Sequence, residues 1–533
     1  MRFRVLAYLA TMRGSLRERG SKRWGEALPA LLYFGLLAAA IHAGARRLGF
    51  VGDSWTIFLE AASGWREALG TPLGYHYIPL AGAWVRVLHL FFGDREVLYA
   101  LANIAELAAV GWLTFRLGRR LLGESLPGLL AGSLLIASAA FPDITYWPLV
   151  GNFHCLAVAF AIGAISAAAK LAEDDPPRGT SWRFAVAFAA ACFTYEGTFT
   201  LLPVAIVWFL VRAAERGGAR SLWRRETAES LFRRFAPSLP ALAALIFAKI
   251  YFSRATASAV SPAIDFERLH SLAQSLLGIF TLRSSTEVLE NLLYLGTTPM
   301  ALVRTRILLV LAVALLVGAW TFRRARRGAA LLVLWLAIHL GAAVVALPLS
   351  PRHRFLPSVP GLLLLSFGFC RLGERLARGS TRRIGGGSGR LPLGDPGFAL
   401  AVPVVLASVL AMSAQGELHR AQELYRRGYD ALRLSVERAR GLLPSRNTPA
   451  VVTLVNGPAY LVEGGIAAPA VDNAVNGLVR YRLDGARIEL VHTRQAGEPG
   501  WISADGSRWI DQGELERLRA DPFRAVVFFE LGP

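Results

Sequence analysis

The sequence predicts an α-helical polytopic membrane protein of about eleven transmembrane helices, with a small C-terminal α/β soluble domain. Of its 533 residues, 54% are hydrophobic, and a water-soluble chain of that length cannot bury so much apolar surface. A helix needs roughly 17 to 25 apolar residues to cross the hydrocarbon core, and 28–45 and 331–347 are the clearest such stretches. Clusters of arginine between the apolar stretches are the third observation, because they mark the cytoplasmic loops.

The net charge of +20 is confined to the membrane part of the chain. Residues 414–533 contain 15 arginines and no lysine against 15 acidic residues, so this tail is neutral. The positive-inside rule accounts for an excess of arginine in cytoplasmic loops. The lipid bilayer is therefore a predicted partner, and nucleic acid is not.

The first helix, 27–46, follows a basic segment, 1–26, that carries seven Lys and Arg residues and no convincing cleavage site. We therefore predict an uncleaved helix with a cytoplasmic N-terminus. The outer loop that follows, 47–96, includes a weakly amphipathic stretch, 77–92, suited to the membrane surface or a shallow insertion. Helix two, 97–117, then returns to a cluster of arginines inside.

Eight further spans complete the transmembrane domain, 27–377. The apolar run 182–211 is too long for one span and is interrupted at Tyr195, Glu196 and Gly197. It therefore predicts two short helices that meet near the outer face. The other predicted spans are 126–141, 150–170, 236–252, 305–322, a helix that ends near Pro348 and a helix that begins near Phe355.

A linker rich in glycine and arginine, 378–396, is predicted to be cytoplasmic, and the last helix, 397–413, carries the chain out again. The extracytoplasmic remainder, 414–533, begins with a helical pattern over 417–442. Strand-like runs follow, separated by turn residues, at 450–455, 487–492 and 525–529. This pattern predicts the α/β domain.

Polar and ionisable residues gather at the predicted outer face, where they are costly unless they line a cavity or a site. These residues are Asp53, Tyr75, His76, Asp143, Glu196, Arg352, His353 and Arg354. Lys249, near the outer end of helix 236–252, adds a positive charge. Their clustering at one face favours an enzyme over a transporter, which would need ionisable residues at the middle of its helices.

Each acidic candidate has two interpretations. Asp53 can act as a general base toward an acceptor hydroxyl, or it can cap a helix that begins at Ser54. Glu196 can belong to the site, or it can pair with a cation or cap the second short helix. Asp143 can contribute to the site, or it can be one of the solvated carboxylates that are common at helix ends.

The basic candidates are equally open. Paired guanidinium groups at Arg352 and Arg354 suit phosphate recognition, but they can also meet lipid headgroups. Lys249 can add charge to the site or extend to the interface. The sequence has no metal-ligand spacing, nucleotide loop or nucleophile motif, so it predicts no cofactor, no metal site and no ATP-driven pump.

Several short motifs follow one another in order along residues 27–375. They are Gly52-Asp53-Ser54, then Tyr75-His76-Tyr77-Ile78-Pro79-Leu80, Leu90-Phe91-Phe92-Gly93, Phe141-Pro142-Asp143 and Tyr195-Glu196-Gly197. This order resembles the GT-C superfamily of membrane glycosyltransferases, and it is similar to the bacterial branch related to protein O-mannosyltransferases.

The resemblance implies a polyprenyl-phosphate-linked sugar as co-substrate and an inverting transfer at the outer face of a bacterial inner membrane. It also implies that Asp53 is the base, although many members carry two adjacent acids where this chain has Ser54 in the second place. We expect the donor phosphate at Arg352 and Arg354 and a cavity shaped by Glu196 and His76. The expected acceptor is a glycan, a lipid or a protein.

Three other functions fit the same pattern of helices and outer arginines. The first is an O-antigen polymerase or ligase, which is also an enzyme. The second is a lipid or glycan transporter, and the third is a relative that binds without catalysis.

Overall fold

The fold is a bundle of helices followed by a small sheet. It is seen in a computed structural model that describes residues 23–51, 54–71, 77–253, 266–283, 326–346, 351–382, 396–442, 451–455, 460–463, 466–469, 487–493, 501–503, 509–521 and 524–528.

The first part of the bundle contains one long helix and three short ones. They are α1 (Arg23–Ile41), α2 (Ser54–Ser63), α3 (Trp65–Gly70) and α4 (Pro79–Phe92). Arg86 of α4 donates hydrogen bonds to the carbonyl oxygens of Ala61 (3.2 Å) and Ala62 (2.7 Å), and these bonds join α4 to α2. The predicted amphipathic stretch in the outer loop is thus a helix.

The other helices that the structure describes in the bundle range from 5 to 47 residues in length. They are α5 (Glu96–Leu122), α6 (Ser125–Ile136), α7 (Pro142–Tyr146), α8 (Pro148–Leu171), α9 (Thr180–Thr194), α10 (Leu201–Gly217), α11 (Arg225–Phe235), α12 (Leu239–Ser253), α13 (Phe266–Thr281), α14 (Arg326–Ala346), α15 (Phe355–Arg382) and α16 (Pro396–Leu442).

Within the described residues, six helices are long and apolar enough to cross a membrane, and five other apolar helices are shorter. The prediction of a polytopic helical membrane protein is confirmed. The predicted span 305–322 lies outside the described residues, so the number eleven stays a prediction.

The break in the long apolar run is confirmed. Helix α9 ends at Thr194, a 3-10 turn covers Glu196–Thr200, and α10 begins at Leu201. Tyr195, between them, has extended backbone angles (φ −154°, ψ 112°), which an α-helix cannot contain. The interruption therefore places the partly buried residues Tyr195 and Glu196 between two helices.

Helix α16 differs from the prediction because it is continuous over 47 residues. The predicted boundary between the span 397–413 and the tail 414–533 falls inside it, next to Gly416. One glycine costs a helix only about 1 kcal/mol relative to alanine, which is too little to end it. Similarly, α15 runs on to Arg382, so the first residues of the predicted linker 378–396 are helical.

The described C-terminal strands are β1 (Val451–Val455), β2 (Tyr460–Glu463), β3 (Ile466–Pro469), β4 (Arg487–Thr493), β5 (Trp501–Ser503), β6 (Trp509–Ile510) and β7 (Arg524–Phe528), with helix α17 (Gln512–Ala520) before β7. Five of them form one sheet in the order β6-β5-β4-β1-β7, and β2 and β3 form a separate two-stranded sheet.

Strand β1 is parallel to both β4 and β7, and the three strands predicted from the sequence are these three. Val452, Ala525 and Val527 belong to the same buried core as Val436 and Ala439 of α16. The sheet thus packs on the extension of the last membrane helix, and its hydrophobic core is shared with that helix.

Glycines allow α5 and α6 to pack closely. A Cβ atom on Gly128 would lie 2.5 Å from the carbonyl oxygen of Phe115, and one on Gly132 would lie 2.4 Å from that of Gly111. Small residues at a helix interface are the usual means of close approach in membranes. The α5–α6 contact therefore depends on the absence of side chains at these positions.

We expect Gly128→Ala to lower the melting temperature of the detergent-purified protein by several degrees, because the helices must separate at a cost of about 1–3 kcal/mol. Gly35→Ala in α1 is the matched control, since a Cβ atom there meets nothing within 4 Å. Fluorescence-detected thermal unfolding measures both variants. Equal melting temperatures for the two variants would contradict the packing argument.

Candidate functional site

Five charged residues meet at the end of the bundle that is predicted to face outward. They are Asp143, Arg283, Arg352, Arg354 and Glu417, which we call the arginine–carboxylate cluster. The chain brings them from α7, the residues after α13, the 3-10 turn before α15, and α16. Proximity in this cluster is therefore a product of tertiary folding.

Asp143 lies in the first turn of α7, directly after a proline. Its Oδ1 accepts a hydrogen bond from the Tyr425 hydroxyl at 2.6 Å, and its carboxylate accepts another from the main-chain N–H of Arg352. Burial raises the pKa of Asp143 above its ordinary value, against the lowering effects of Tyr425, Arg352 and Arg354. Asp143 is thus held by partners, unlike a solvated carboxylate at a loop.

Arg354 and Glu417 are the most deeply buried members of the cluster, at 4% and 1% exposed. Arg354 is close enough to both Asp143 and Glu417 for their charges to act on it. Arg283 places its Nε 3.8 Å from Oε2 of Glu417 and donates to the carbonyl oxygen of Ser413 at 3.1 Å. Each buried charge therefore has an opposite charge beside it, as a low-dielectric site requires.

Aromatic rings surround the cationic side of the cluster. The guanidinium carbon of Arg352 lies 6.0 Å from the centre of the Trp147 ring. The His353 ring is nearly parallel to that of Tyr195 at 6.3 Å, and Tyr195 lies 4.6 Å from the ring of His154. The break between α9 and α10 is thereby placed beside the 3-10 turn that carries the arginines.

Glu196 immediately follows Tyr195 and begins the 3-10 turn before α10. The structure therefore brings Asp143, Arg352 and Arg354 together, with His353 and Glu196 in the adjoining neighbourhood. The role of each in binding or catalysis stays a prediction.

Several predicted site residues lie outside the described residues: Asp53, Tyr75, His76 and the side chain of Lys249. Helix α2 begins at Ser54, as the capping interpretation of Asp53 supposes. The main chain of Lys249 lies in α12. Both interpretations of Asp53 and of Lys249 remain open.

Sequence reasoning missed three members of this neighbourhood: Tyr425, Glu417 and Arg283. Tyr425 and Asp143 are separated by 282 positions, and no local pattern distinguishes a tyrosine that will reach a carboxylate. In the sequence, Glu417 is an ordinary charged residue at the start of the helical pattern 417–442, and Arg283 is one in the loop between the predicted spans 236–252 and 305–322. Only their contacts with each other and with Arg354 identify them.

A second polar group, also missed, lies within the helical bundle. Glu106 of α5 accepts hydrogen bonds from Trp84 Nε1 (2.8 Å) and Asn152 Nδ2 (3.0 Å). Asn103, one turn earlier, donates to the carbonyl oxygens of Ile144 (2.7 Å) and Thr145 (3.1 Å) in α7. A lone acid inside an apolar helix was the available signal. These bonds fix α7, and with it Asp143, against α5.

An apolar groove of about 610 Å³ lies between the start of α4, the end of α9 and α12. Its walls include Leu80, Phe193, Ala244, Phe247 and Tyr251. Phe193 is two residues before Tyr195, whose ring contacts His353. One wall of the groove thus leads along the chain to the arginine–carboxylate cluster.

Among the described residues, the cluster contains three guanidinium groups and two carboxylates. Arg352 is only partly buried, whereas Arg354 is enclosed. Arg352 is thus the accessible donor, and its guanidinium group can form hydrogen bonds with a negatively charged ligand. Among the described residues, no three His, Cys, Asp or Glu side chains come close enough to hold a metal ion.

No family model and no curated protein matches the chain. Among solved structures, it is similar to the oligosaccharyltransferase AglB of Archaeoglobus fulgidus in complex with an inhibitory peptide and a dolichol-phosphate. The TM-score is 0.49, the identity is 12%, and the match covers 88% of this chain and 64% of that one. The chain thus spans less than two thirds of the archaeal enzyme.

The chain is also similar to ArnT of Cupriavidus metallidurans in the apo state, with a TM-score of 0.48, 13% identity, and coverage of 91% of this chain and 98% of that one. For ArnT bound to undecaprenyl phosphate the TM-score is 0.45, the identity 13%, and the coverage 92% and 98%. With TM-scores below 0.5, these similarities carry no argument about the chemistry of this chain.

We expect Arg354→Gln to destabilise the protein by about 3–5 kcal/mol near neutral pH, because Asp143 and Glu417 would lose a buried counter-charge. The pKa of Asp143 would rise further, so its ionised form becomes costly as the pH rises through that higher pKa. Protonation relieves the cost, and the loss in melting temperature should be smaller at about pH 5 than at about pH 8.

Arg375→Gln is the matched control, since Arg375 is an exposed arginine of α15, the helix that follows the turn with Arg354. It should change the melting temperature little at either pH. A loss for Arg354→Gln that is the same at both pH values would contradict the proposed coupling to the carboxylates.

Proposed function

We propose that this protein is a membrane glycosyltransferase that moves a sugar from a polyprenyl-phosphate donor to a glycan, lipid or protein acceptor. The reaction would take place at the outer face of a bacterial inner membrane. The observation that carries the proposal is the arginine–carboxylate cluster, in which three guanidinium groups and two carboxylates meet among the described residues. An apolar groove supports it, because the groove wall includes Phe193, two residues before Tyr195.

The guanidinium groups of the cluster suit the phosphate of the donor. A phosphodiester between a polyprenol and a sugar has one negative charge, which an accessible arginine can neutralise. The planar guanidinium group of Arg352 can donate two hydrogen bonds to phosphate oxygens, while Arg354 maintains the positive potential from a buried position. In this proposal, Lys249 adds charge from α12.

The apolar groove suits the polyprenyl chain. Its walls are aliphatic and aromatic, and a polyprenyl chain offers only hydrocarbon for contact. Phe193 lines the groove, and Tyr195, two residues further on, lies beside His353. A polyprenyl chain in the groove would therefore lead toward a phosphate bound at Arg352. A donor with a long apolar tail and a charged head matches both parts.

The transfer would proceed by inversion, as the resemblance implies. Asp53 would remove the proton of the acceptor hydroxyl, whose oxygen attacks the anomeric carbon and forms the new glycosidic bond. The bond from that carbon to the phosphate oxygen breaks, and polyprenyl phosphate leaves with its additional negative charge near Arg352. Asp143 would hold Arg352 through its main-chain N–H. Tyr75, His76 and Glu196 would shape the sugar cavity.

Asp53→Asn should reduce sugar transfer by a factor on the order of 100 or more, because asparagine cannot accept the proton. Asparagine caps helices as well as aspartate does. If Asp53 only caps helix α2, this variant should therefore transfer sugar like the wild type. The assay uses purified protein in detergent, a panel of radiolabelled polyprenyl-phosphate sugars and a crude glycolipid acceptor extract.

Asp94→Asn, at an exposed aspartate of the same outer segment, is the control and should transfer sugar like the wild type. Equal transfer by Asp53→Asn and wild type would remove Asp53 from the mechanism. Absence of transfer by the wild type with every donor would favour the polymerase and transporter alternatives.

Ala244→Trp should fill part of the groove and lower kcat/KM for a long-chain polyprenyl-phosphate sugar by about tenfold. A donor with only two isoprene units should be affected much less, because its tail needs less of the groove. Ala401→Trp, at an exposed alanine of α16, is the matched control for a bulky residue at the lipid-facing surface. Equal losses with both donors would contradict the placement of the polyprenyl chain in the groove.

A further inference from the structure

The middle of α16 lies against the candidate site. At about 1.5 Å per residue, 47 residues extend about 70 Å, roughly twice the thickness of the hydrocarbon core. Glu417, Ala421 and Tyr425 follow one another at intervals of four on one face, and all are at most 1% exposed. This face is buried against the cluster, so the helix forms part of the site.

The same helix contacts the segment that leads from α1 to Asp53. A Cβ atom on Gly44 would lie 1.3 Å from Nε2 of Gln422, and one on Gly49 would lie 2.1 Å from a ring carbon of Tyr429. The side chains of Gln422 and Tyr429 thus occupy the space that a side chain at Gly44 or Gly49 would need. Helix α16 thus contacts both the chain segment that precedes Asp53 and helix α7, which carries Asp143.

Tyr425 contacts α7 in two separate ways. Its hydroxyl donates to Oδ1 of Asp143 at 2.6 Å, and its ring lies 6.0 Å from that of Tyr146, one turn further along α7. Tyr425 itself is 0% exposed. Because phenylalanine would keep the ring contact and lose only the hydroxyl, the packing role and the hydrogen-bonding role can be separated by experiment.

The hydroxyl acts on the charge of Asp143. A hydrogen bond donated to a carboxylate favours the ionised form, so Tyr425 lowers the pKa of Asp143 and opposes the effect of burial. The ionised form balances the nearby guanidinium groups and accepts the main-chain N–H of Arg352. Without the hydroxyl, Asp143 would become protonated at a higher pH and this acceptor would weaken.

We infer that Tyr425, on the extension of the last membrane helix, is a positioning residue that keeps Asp143 in the orientation that holds Arg352 for the donor phosphate. The inference rests on the proposed function for its effect on transfer. The C-terminal region then contributes directly to the active site, because the helix that carries Tyr425 also packs against strands β3 and β7.

The test is Tyr425→Phe in the full-length protein, measured as the pH dependence of sugar transfer. We expect the acid limb of the profile to move upward by about one pH unit, while transfer on the plateau is retained. An infrared titration of the protonated-carboxyl band, assigned with Asp143→Asn, measures the same shift without any activity.

Tyr33→Phe is the matched control, since Tyr33 also forms one hydroxyl hydrogen bond, with Ser133 at 2.9 Å, away from the cluster. Its acid limb should coincide with that of the wild type. An unshifted limb and an unshifted infrared band for Tyr425→Phe would overturn the inference. A shifted infrared band in a protein without transfer would support the contact and overturn the proposed function instead.

Discussion

Neutralisation of buried charge is the constraint on which the end of the bundle with the arginine–carboxylate cluster depends. Glu417 and Arg354 are almost completely enclosed, and neither could be buried in a low-dielectric environment without an opposite charge. Their partners, Arg283 and Asp143, come from other parts of the chain. Each buried charge needs an opposite charge beside it. For this reason α7, α16, the turn before α15 and the residues after α13 lie close together.

The long helix α16 connects the cluster to the apolar helices on one side and to the C-terminal sheet on the other. One end lies among apolar helices, its middle supplies Glu417 and Tyr425 to the cluster, and its last turns share a buried core with the sheet. A helix of this length is stiff, so the positions of sheet and site are linked. Close approach at Gly44 and Gly49 adds the segment before Asp53 to the same unit.

The proposed chemistry uses two parts of the structure, the polar groups at helix ends and the apolar groove. The interruption at Tyr195 and the short helix α7 place polar groups at helix ends, where they can meet a charged ligand. The groove beside them is lined by hydrocarbon and aromatic side chains. A lipid-linked sugar phosphate has this same division between an apolar tail and a charged head.

Hydropathy and polar residues within apolar runs predicted the helical membrane class and the break at residues 195–197. The same local properties of the chain predicted three of the strands and marked Asp143, Arg352 and Arg354 as candidates. Asp53, Tyr75 and His76 stay predictions from the sequence. The folded structure was needed to show that Glu417 and Arg283 belong to the cluster, that Tyr425 contacts it, and that α16 continues through Gly416. Those outcomes depend on contacts across as many as 282 positions, and such contacts leave no local pattern in the sequence.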